Sequence, residues 1–304
     1  MSFEITILGS SSATPTVTRH PSAQYFCFGN RAFLIDCGEG AQTQILRFGQ
    51  KPGKIEKIFI SHLHLDHWLG LPGLLSTFSL NGRTAALEIY APDGLQQILE
   101  TTFKFTHFHL NYPIHFHTLQ ETENLQSIFE DEHICIDAIN VQHRVPCWAF
   151  IFRSKNNYLK IDKDKIEGKN IPLKAFSAFR LGNNFTDENG KIYHYADYTL
   201  PKTSPATYIY ITDTIYLPHL ISQLPQNALL YHETTFMHDL AHKTESTMHS
   251  TTLEAAQFAK AANAKQLIIG HFSSRYNDLQ PLLQEARTIF ENTELAEEGR
   301  TFTI

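Results

Sequence analysis

The chain has 304 residues, of which 42% are hydrophobic and 18% are charged. This is the composition of an ordinary globular protein, long enough for one large domain or two small ones. The formal net charge of −6 excludes indiscriminate binding to nucleic acid, which requires a broadly basic surface, so any such binding must be local.

Four cysteines, Cys27, Cys37, Cys135 and Cys147, are scattered without CxxC spacing. We therefore expect reduced, buried thiols rather than a disulfide framework or a thiolate zinc site. The sequence contains neither a basic, apolar N-terminal signal nor an apolar run near the roughly 20 residues of a membrane helix. We expect a cytoplasmic protein without membrane contact.

The first predicted strand, Phe3–Gly9, alternates with period two and runs into a loop of small residues at 10–16. Such a loop can approach a ligand closely, either as a phosphate cradle or as a plain turn. Its composition alone favours the plain turn, because Gly9 is its one glycine.

A hairpin is predicted next, since two β-rich runs, Ala23–Gly29 and Arg31–Asp36, meet at Gly29-Asn30. A helical stretch follows at 41–48. Asp36 lies between hairpin and helix. It therefore either serves as a capping or turn residue or orients a metal-bound histidine, and the residues alone do not decide between these roles.

The apolar run Lys57–Ser61 ends in a dense cluster of metal-ligand residue types. Three histidines and one aspartate occur within six residues, namely His62, His64, Asp66 and His67. Two strand-end histidines spaced by two can project toward one point, whereas the adjacent Asp66 and His67 point elsewhere, so two ions fit better than one. Imidazole with carboxylate suits zinc, and manganese or iron less well. The alternative is a loop of solvated side chains, which this spacing disfavours.

Helices are predicted at 68–78, interrupted near Pro72, and at 94–105, with a strand at 86–91 between them. The following segment, 106–118, carries four more histidines, His107, His109, His115 and His117. Their spacing by two would allow a zinc site on one strand face, but no carboxylate stands among them. We therefore expect these histidines at the surface or at the rim of a site.

A further predicted strand, 133–141, leads to His143, and a lone histidine after a strand is usually structural.

The composition of the chain then changes at 153–180, where eight lysines and arginines stand against three acidic residues, a net charge of +5. This segment is either a solvated charged hairpin or an RNA-binding surface. Tyr158, Phe176 and Phe179 are interleaved with the basic residues and would stack on bases in the second case.

Strands are predicted at 207–213 and at 266–270. The first runs into Asp213, whose two oxygens can bridge two ions, and the second ends before His271. A helix at 252–262 precedes the second strand, and Ser250 or Thr251 is its predicted N-cap.

These motifs resemble a known family. HxHxDH at 62–67 is the signature of the metallo-β-lactamase superfamily, and five further elements resemble ribonuclease Z, the transfer-RNA 3′-processing endonucleases. They are LGSSSATPT at 8–16, HRVP at 143–146, HETT at 232–235, HST at 249–251 and HFSSRY at 271–276.

The resemblance covers essentially the whole chain and implies an α/β fold, the αββα four-layer metallo-β-lactamase sandwich. It implies one domain over 1–304, with a protruding basic arm inserted at 153–200 that lacks the family's Gly-Pro-rich hallmark. The halves 1–152 and 205–304 would each contribute ligands to a site between them.

The resemblance also implies two zinc ions per chain, with Mn²⁺ or Fe²⁺ as alternatives. One ion would take His62, His64, His143 and Asp213. The other would take Asp66, His67, Asp213 and His271. Asp36 would then orient a metal-bound histidine.

Other roles follow from the same resemblance. His249 needs no metal in this assignment and is the candidate general acid, with Glu233 orienting it, while Asp66 is the second catalytic candidate. Arg275 would contact phosphate. Three lysines of the arm, Lys163, Lys165 and Lys169, would contact RNA.

Three functions compete. The leading one is a zinc-dependent endoribonuclease, a homodimer, that cuts precursor tRNA after the discriminator base by attack of a metal-activated hydroxide. The second is a hydrolase of a small ester, lactone or cyclic phosphodiester with the same metal centre. The HETT, HST and HFSSRY elements favour the nuclease. A non-catalytic RNA-binding relative without metals is disfavoured because every expected ligand is present.

Overall fold

The computed structural model describes residues 2–155, 158–201 and 204–304. The strands found in these ranges are β1 (Phe3–Gly9), β2 (Ala23–Phe28), β3 (Arg31–Cys37), β4 (Ile55–Phe59), β5 (Leu87–Ala91), β6 (Ile114–Thr118), β7 (Gln126–Glu130), β8 (Ile134–Val141), β9 (Cys147–Ser154), β10 (Phe185–Thr186), β11 (Ile192–Tyr193), β12 (Thr207–Ile211), β13 (Leu229–Glu233), β14 (Gln266–Gly270), β15 (Thr293–Leu295) and β16 (Thr301–Thr303).

The α-helices found in the same ranges are α1 (Ala41–Arg47), α2 (Leu65–Trp68), α3 (Leu71–Leu80), α4 (Leu95–Phe105), α5 (Lys163–Ile166), α6 (Leu173–Arg180), α7 (Thr244–Thr247), α8 (Thr252–Ala261) and α9 (Gln280–Arg287). Short 3₁₀ helices occur at Pro52–Lys54, Tyr195–Asp197, Pro218–Gln223 and His238–Lys243. None of the helices in the described ranges combines the length and apolarity needed to cross a membrane.

The large strands form two mixed sheets. In one the order is β16-β1-β2-β3-β4-β5-β6, antiparallel as far as β3 and parallel from β3 to β6. In the other the order is β15-β14-β13-β12-β9-β8-β7, with β12 to β15 parallel. The predicted hairpin is confirmed, because Phe28 pairs with Arg31 and Gly29 takes the positive φ of 61° that such a turn requires.

Aromatic side chains fill the space between the two sheets. Phe26 of β2 stacks on Phe152 of β9 at 4.7 Å between ring centroids, and Phe59 meets Phe150 at 5.6 Å. The outer face of the first sheet is covered by α1, α3 and α4, and that of the second by α8 and α9. Four layers result, in the order helix, sheet, sheet, helix, as the resemblance implies. Because both faces are covered, strands such as β14 are continuous apolar runs.

The chain divides into two compact units. The first comprises Met1–Ile128, Ile136–Phe152 and Thr207–Ile304, and contains most of both sheets. The second comprises Phe129–Cys135 and Arg153–Ala206. Its small core is formed by Ala175, Phe179 and Tyr193, with α6 and the β10-β11 hairpin packed around them.

One predicted helix is divided differently. We expected a break near Pro72 within 68–78, but α2 ends at Trp68 and α3 begins at Leu71 with Pro72 in its first turn. The first turn tolerates proline because its N–H groups have no partner within the helix. Pro72 therefore starts a helix here and does not interrupt one.

Candidate metal centre

The predicted site residues lie at the carboxyl ends of strands from both sheets. From the first sheet come Asp36 at the end of β3 and the 62–67 cluster after β4. From the second sheet come His143, Asp213, Glu233 and His271, which follow or end β8, β12, β13 and β14 respectively. Parallel strands bring their carboxyl ends to one edge of a sheet, so residues distant in sequence meet there.

The backbone is sharply bent at three of these strand ends. Asp36, Asp213 and His271 have positive φ angles of 55°, 35° and 57°. This left-handed region is uncommon for residues other than glycine, and such conformations persist where the surrounding structure enforces them. Here each bend coincides with a side chain that points into the site.

A first group of potential ligand atoms consists of His62, His64, His143 and Asp213. Nδ1 of His64 lies 3.0 Å from Nε2 of His62 and 3.1 Å from Nε2 of His143. Oδ2 of Asp213 lies 3.5 Å from the same nitrogen of His62 and 3.7 Å from that of His143. The four atoms thus converge on one point.

A second group consists of Asp66, His67 and His271. Oδ2 of Asp66 lies 3.3 Å from Nε2 of His67 and 3.7 Å from Nε2 of His271. Asp213 faces this group with its other oxygen, since Oδ1 lies 3.3 Å from the His67 nitrogen and 3.0 Å from the His271 nitrogen. The two groups therefore meet at the Asp213 carboxylate.

The residues present fit divalent cations. Nε2 of His67 and Nε2 of His271 are buried and have no hydrogen-bond partner, although a buried polar atom normally finds one. Both face carboxylate oxygens, and buried carboxylates need positive charge nearby. Two sets of imidazole nitrogens and carboxylate oxygens that share a carboxylate suit a pair of zinc ions.

Hydrogen bonds on the far side of the rings orient the converging nitrogens. In four of the histidines Nδ1 can donate a proton to a neighbouring oxygen, and this contact directs Nε2 toward the other ligand atoms, where it can bind a metal. The acceptors are Oγ of Ser61 for His62 at 3.1 Å, Oδ2 of Asp36 for His67 at 2.7 Å, O of Met248 for His143 at 2.9 Å and Oγ1 of Thr235 for His271 at 3.0 Å.

Of the two roles predicted for Asp36, the structure supports orientation of a histidine and not capping of a helix. Its carboxylate is fully buried and accepts the His67 hydrogen bond, whereas the N-cap of α1 is Gly40.

The prediction of a capping residue at Ser250 or Thr251 is confirmed for Thr251, which forms a capping box with Glu254 at the start of α8.

His249 is hydrogen-bonded to a fully buried carboxylate. Its Nδ1 lies 2.9 Å from Oε1 of Glu233, which also accepts the backbone N–H groups of Thr214 and Ser250. Burial disfavours the imidazolium, but the charge of Glu233 outweighs burial and raises the pKa of His249 to about 9. His249 also lies within ligand distance of Asp213 and His271. The geometry therefore allows a proton donor or a metal ligand.

Arg275 and His249 both lie against the ring of Phe236. Nε of Arg275 donates to Oγ of Ser273 at 2.9 Å, and its guanidinium lies 5.1 Å from the ring centre of Phe236, which meets the His249 ring edge-on at 6.2 Å. The side chain is exposed. A positive charge is thus presented to solvent next to the site.

Several supporting residues were not predicted from the sequence. Ser61 and Thr235 accept hydrogen bonds from ligand histidines, and Tyr210 donates to Asp36 at 2.7 Å. Arg19 donates to the backbone oxygens of Ser273 and Tyr276 and so anchors the loop after His271. The sequence could have indicated only Ser61 and Thr235 among these residues. Each carries a hydroxyl and lies one or two positions from a histidine or carboxylate of a motif.

The four histidines of 106–118 lie at the surface. His115 and His117 each pair with a different oxygen of Glu88 on the neighbouring strand β5. Among the described residues, none of these histidines belongs to a group that could hold a metal ion. Pairing with Glu88 explains the spacing of His115 and His117 without a metal.

The predicted RNA-contacting residues lie in the second unit. Lys163, Lys165 and Lys169 are exposed. The prediction that Phe179 stacks on bases is wrong, because its ring is fully buried in the core of that unit and stacks on Tyr198 at 5.1 Å. Tyr158, by contrast, is 53% exposed.

The net positive charge of the second unit is smaller than that of the segment 153–180 within it. The whole unit contains ten lysines and arginines and nine acidic residues, a net charge of +1, because the acidic stretch 130–132 adds three negative charges and 181–206 adds one more on balance. Lys155 pairs with Glu130 of that stretch. The basic character is therefore confined to one part of the unit.

Two helix-covered sheets with this cluster of imidazoles and carboxylates at one edge define a metal-binding protein of the metallo-β-lactamase fold. The same fold occurs in the structure of YhfI from Bacillus subtilis, a metallo-β-lactamase fold protein, with a TM-score of 0.70 and 20% identity over 100% of both chains. The predicted fold class is thereby confirmed.

Full-length relatives identify the family. Ribonuclease Z of Bacteroides fragilis is 38% identical over 302 residues, 99% of each chain, and that of Cytophaga hutchinsonii is 40% identical over 305 residues, 100% of this chain and 97% of the relative. Human tRNase Z, short form, has a TM-score of 0.72 and 28% identity over 98% of both chains. A family model described as Anti-Pycsar protein Apyc1 matches residues 3–167. The chain belongs to the ribonuclease Z family and, with over half its length matched, to the family of that model.

Proposed function

We propose that this chain is a zinc-dependent endoribonuclease that removes the 3′ trailer from precursor tRNA. The observation that carries the proposal is the pair of ligand groups that share Asp213, in a chain whose full-length relatives are named ribonuclease Z. The human relative, at 28% identity, is named tRNase Z. Both names point to RNA as the substrate.

Two metal ions would be held by the residues described above. His62, His64 and His143 would bind one ion, Asp66, His67 and His271 the other, and Asp213 both. A zinc pair, or Mn²⁺ or Fe²⁺ in its place, would supply a water of lowered pKa and neutralise charge on the phosphodiester oxygens. Asp36 keeps the His67 ring oriented for this purpose.

His249 acts as the proton donor in this proposal. The hydrogen bond from Nδ1 to Glu233 fixes the ring and leaves Nε2 to protonate the leaving ribose oxygen. Asp66, 10% exposed, is the more accessible of the two ligand aspartates and is the second catalytic candidate. Arg275 would hold a phosphate beside His249, since its guanidinium is exposed there.

Substrate affinity would come in part from the segment 153–200. Lys163, Lys165 and Lys169 present exposed ammonium groups that can contact RNA phosphates. We further propose that the protein works in the cytoplasm and that it forms the homodimer that the resemblance implies. We also propose that residues 1–304 form a single domain in which this segment is an insertion. This is consistent with the positions of the ligands, which lie on both sides of the segment in the sequence.

The experiment is incubation of the metal-loaded protein with a 3′-extended precursor tRNA, followed by sequencing of the new ends. We expect one cut after the discriminator base that leaves a 3′-hydroxyl. The controls are chelated protein and the Asp213→Ala variant. Hydrolysis of small esters, lactones or cyclic phosphodiesters without any cut in the RNA would favour the alternative hydrolase.

A further inference from the structure

A hydrogen bond between the two sheets ends at the metal centre. Tyr210 lies on β12 of the second sheet and is fully buried. Its hydroxyl donates to Oδ2 of Asp36 at 2.7 Å, and Asp36 belongs to β3 of the first sheet. The two residues are 174 positions apart in sequence.

The Asp36 carboxylate is held by four donors. Oδ1 accepts the backbone N–H of Ser61 at 2.8 Å, and Oδ2 accepts the Ser61 hydroxyl at 2.9 Å, His67 Nδ1 at 2.7 Å and the Tyr210 hydroxyl. Three of these donors belong to the segment that carries the HxHxDH motif. Tyr210 contributes the fourth from the opposite sheet, and so ties the carboxylate to a separate, rigid element.

The phenol is well suited to this task. Burial, followed by the charge of Asp36, raises the pKa of Tyr210, so the hydroxyl stays protonated and donates. The ring stacks on Tyr231 at 4.9 Å with 19° between the planes. The Tyr231 side chain lies directly against Gly270. Any larger residue at position 270 would place its Cβ too close to the Tyr231 oxygen. This stack holds the Tyr210 ring independently of its hydroxyl.

We propose that Tyr210 is a positioning residue of the metal centre, whose hydroxyl fixes the Asp36 carboxylate from the opposite sheet and thereby sets the orientation of the His67 ring. The inference rests on the proposed metal centre. Orienting groups behind a metal-bound histidine typically contribute about 10- to 100-fold in metal affinity or activity. Loss of the hydroxyl should therefore be visible in metal binding itself.

The test compares Tyr210→Phe with a matched control, Tyr208→Phe. Tyr208 lies two residues earlier on β12, is equally buried, and also donates its hydroxyl across to the first sheet, but to Gln24. Zinc dissociation constants are measured by chelator competition. We expect roughly 10- to 100-fold weaker binding for Tyr210→Phe, and wild-type binding for the control.

Two further measurements separate positioning from simple stability. Melting temperatures without metal should fall similarly in both variants, whereas the visible absorption of bound Co²⁺ should change only in Tyr210→Phe. Equal zinc affinities for the two variants would overturn the inference while leaving the metal centre intact. A wild-type protein that binds no divalent metal would instead overturn the proposed function, and the inference with it.

Discussion

Asp213 connects the two ligand groups through its two carboxylate oxygens. Oδ1 also accepts the hydroxyl of Thr212 at 2.8 Å. Burial alone would raise the pKa of Asp213, but His271 and His67, followed by His62, hold it well below its usual range. The side chain is therefore a carboxylate in contact with both groups.

Replacement of Asp213 should release more metal than replacement of a single-site histidine. We expect Asp213→Ala to lose more bound zinc than His143→Ala or His271→Ala, because each histidine belongs to one group and Asp213 faces both. Elemental analysis of the purified variants measures this. Two full zinc equivalents in the Asp213 variant would contradict a bridging role.

His249 provides a sharper test at the same scale. If its imidazole protonates the leaving oxygen, His249→Ala should keep its zinc and its affinity for RNA but lose turnover by about 10² to 10⁴. Loss of a zinc equivalent would show instead that His249 is a ligand, as its distance to Asp213 and His271 allows. Metal analysis and single-turnover kinetics distinguish the two roles.

The proton-donor role has its own control substrate. A 3′-bridging phosphorothiolate has a leaving sulfur that scarcely needs a proton, so the variant should recover much of its deficit on it. The comparison is made with the same metal bound, since sulfur itself favours some metals. Equal defects on oxygen and sulfur substrates would leave His249 as a positioning residue.

At the scale of elements, strands were predictable where the side-chain pattern was distinctive. Phe3–Gly9 and Gln266–Gly270 are strands over the predicted residues. Strand β9 was not predicted, because it is covered on both faces and its run Cys-Trp-Ala-Phe-Ile-Phe shows no alternation. Helix α9 was not predicted, although Asp278 accepts the backbone N–H of Gln280 at its start and Pro281 lies in its first turn.

The lysines of α5 and the turn after it should contribute affinity without contributing chemistry. Replacement of Lys163, Lys165 and Lys169 by Gln should weaken binding of precursor tRNA while hydrolysis of bis(p-nitrophenyl) phosphate stays at the wild-type rate. The slope of log affinity against log salt should fall by about 0.7 to 0.9 for each phosphate that the variant no longer neutralises. Binding titrations over a series of salt concentrations measure both effects.

A matched variant removes three exposed lysines of the first unit. Lys54 and Lys265 precede β4 and β14, at the strand ends opposite the metal centre, and Lys260 lies in the last turn of α8. Their replacement by Gln changes the net charge equally. If both triple variants bind RNA alike, the second unit is only a solvated charged surface.

For the whole molecule, the motifs predicted which residues meet but not what supports them. The ligands were recognisable because each follows a strand and all except Asp213 lie in a short motif. The support from Tyr210 depends on the packing of two sheets, which brings together residues 174 positions apart. Phe179 failed as a predicted RNA contact for the same reason, since only the folded unit shows that its ring is buried.

Removal of metal should lower the stability of the whole fold. A metal that binds only the folded chain stabilises it by about 2.7 kcal/mol at 100 times its dissociation constant, or roughly 4 °C in melting temperature for a chain of this length. We expect chelation to lower the melting temperature by about this amount for each site, as measured by calorimetry. The Asp213→Ala variant should show a smaller shift, and an equal shift would contradict binding through Asp213.

The ligand set is divided by the segment 158–201. His62, His64, Asp66, His67 and His143 precede it, whereas Asp213 and His271 follow it. If a protease nicked the chain there, each fragment would carry an incomplete set of ligands, and the proposed metal pair would act as a reversible cross-link between the fragments. Fragment complementation would then respond to free zinc, and neither fragment would retain the bimetallic centre by itself.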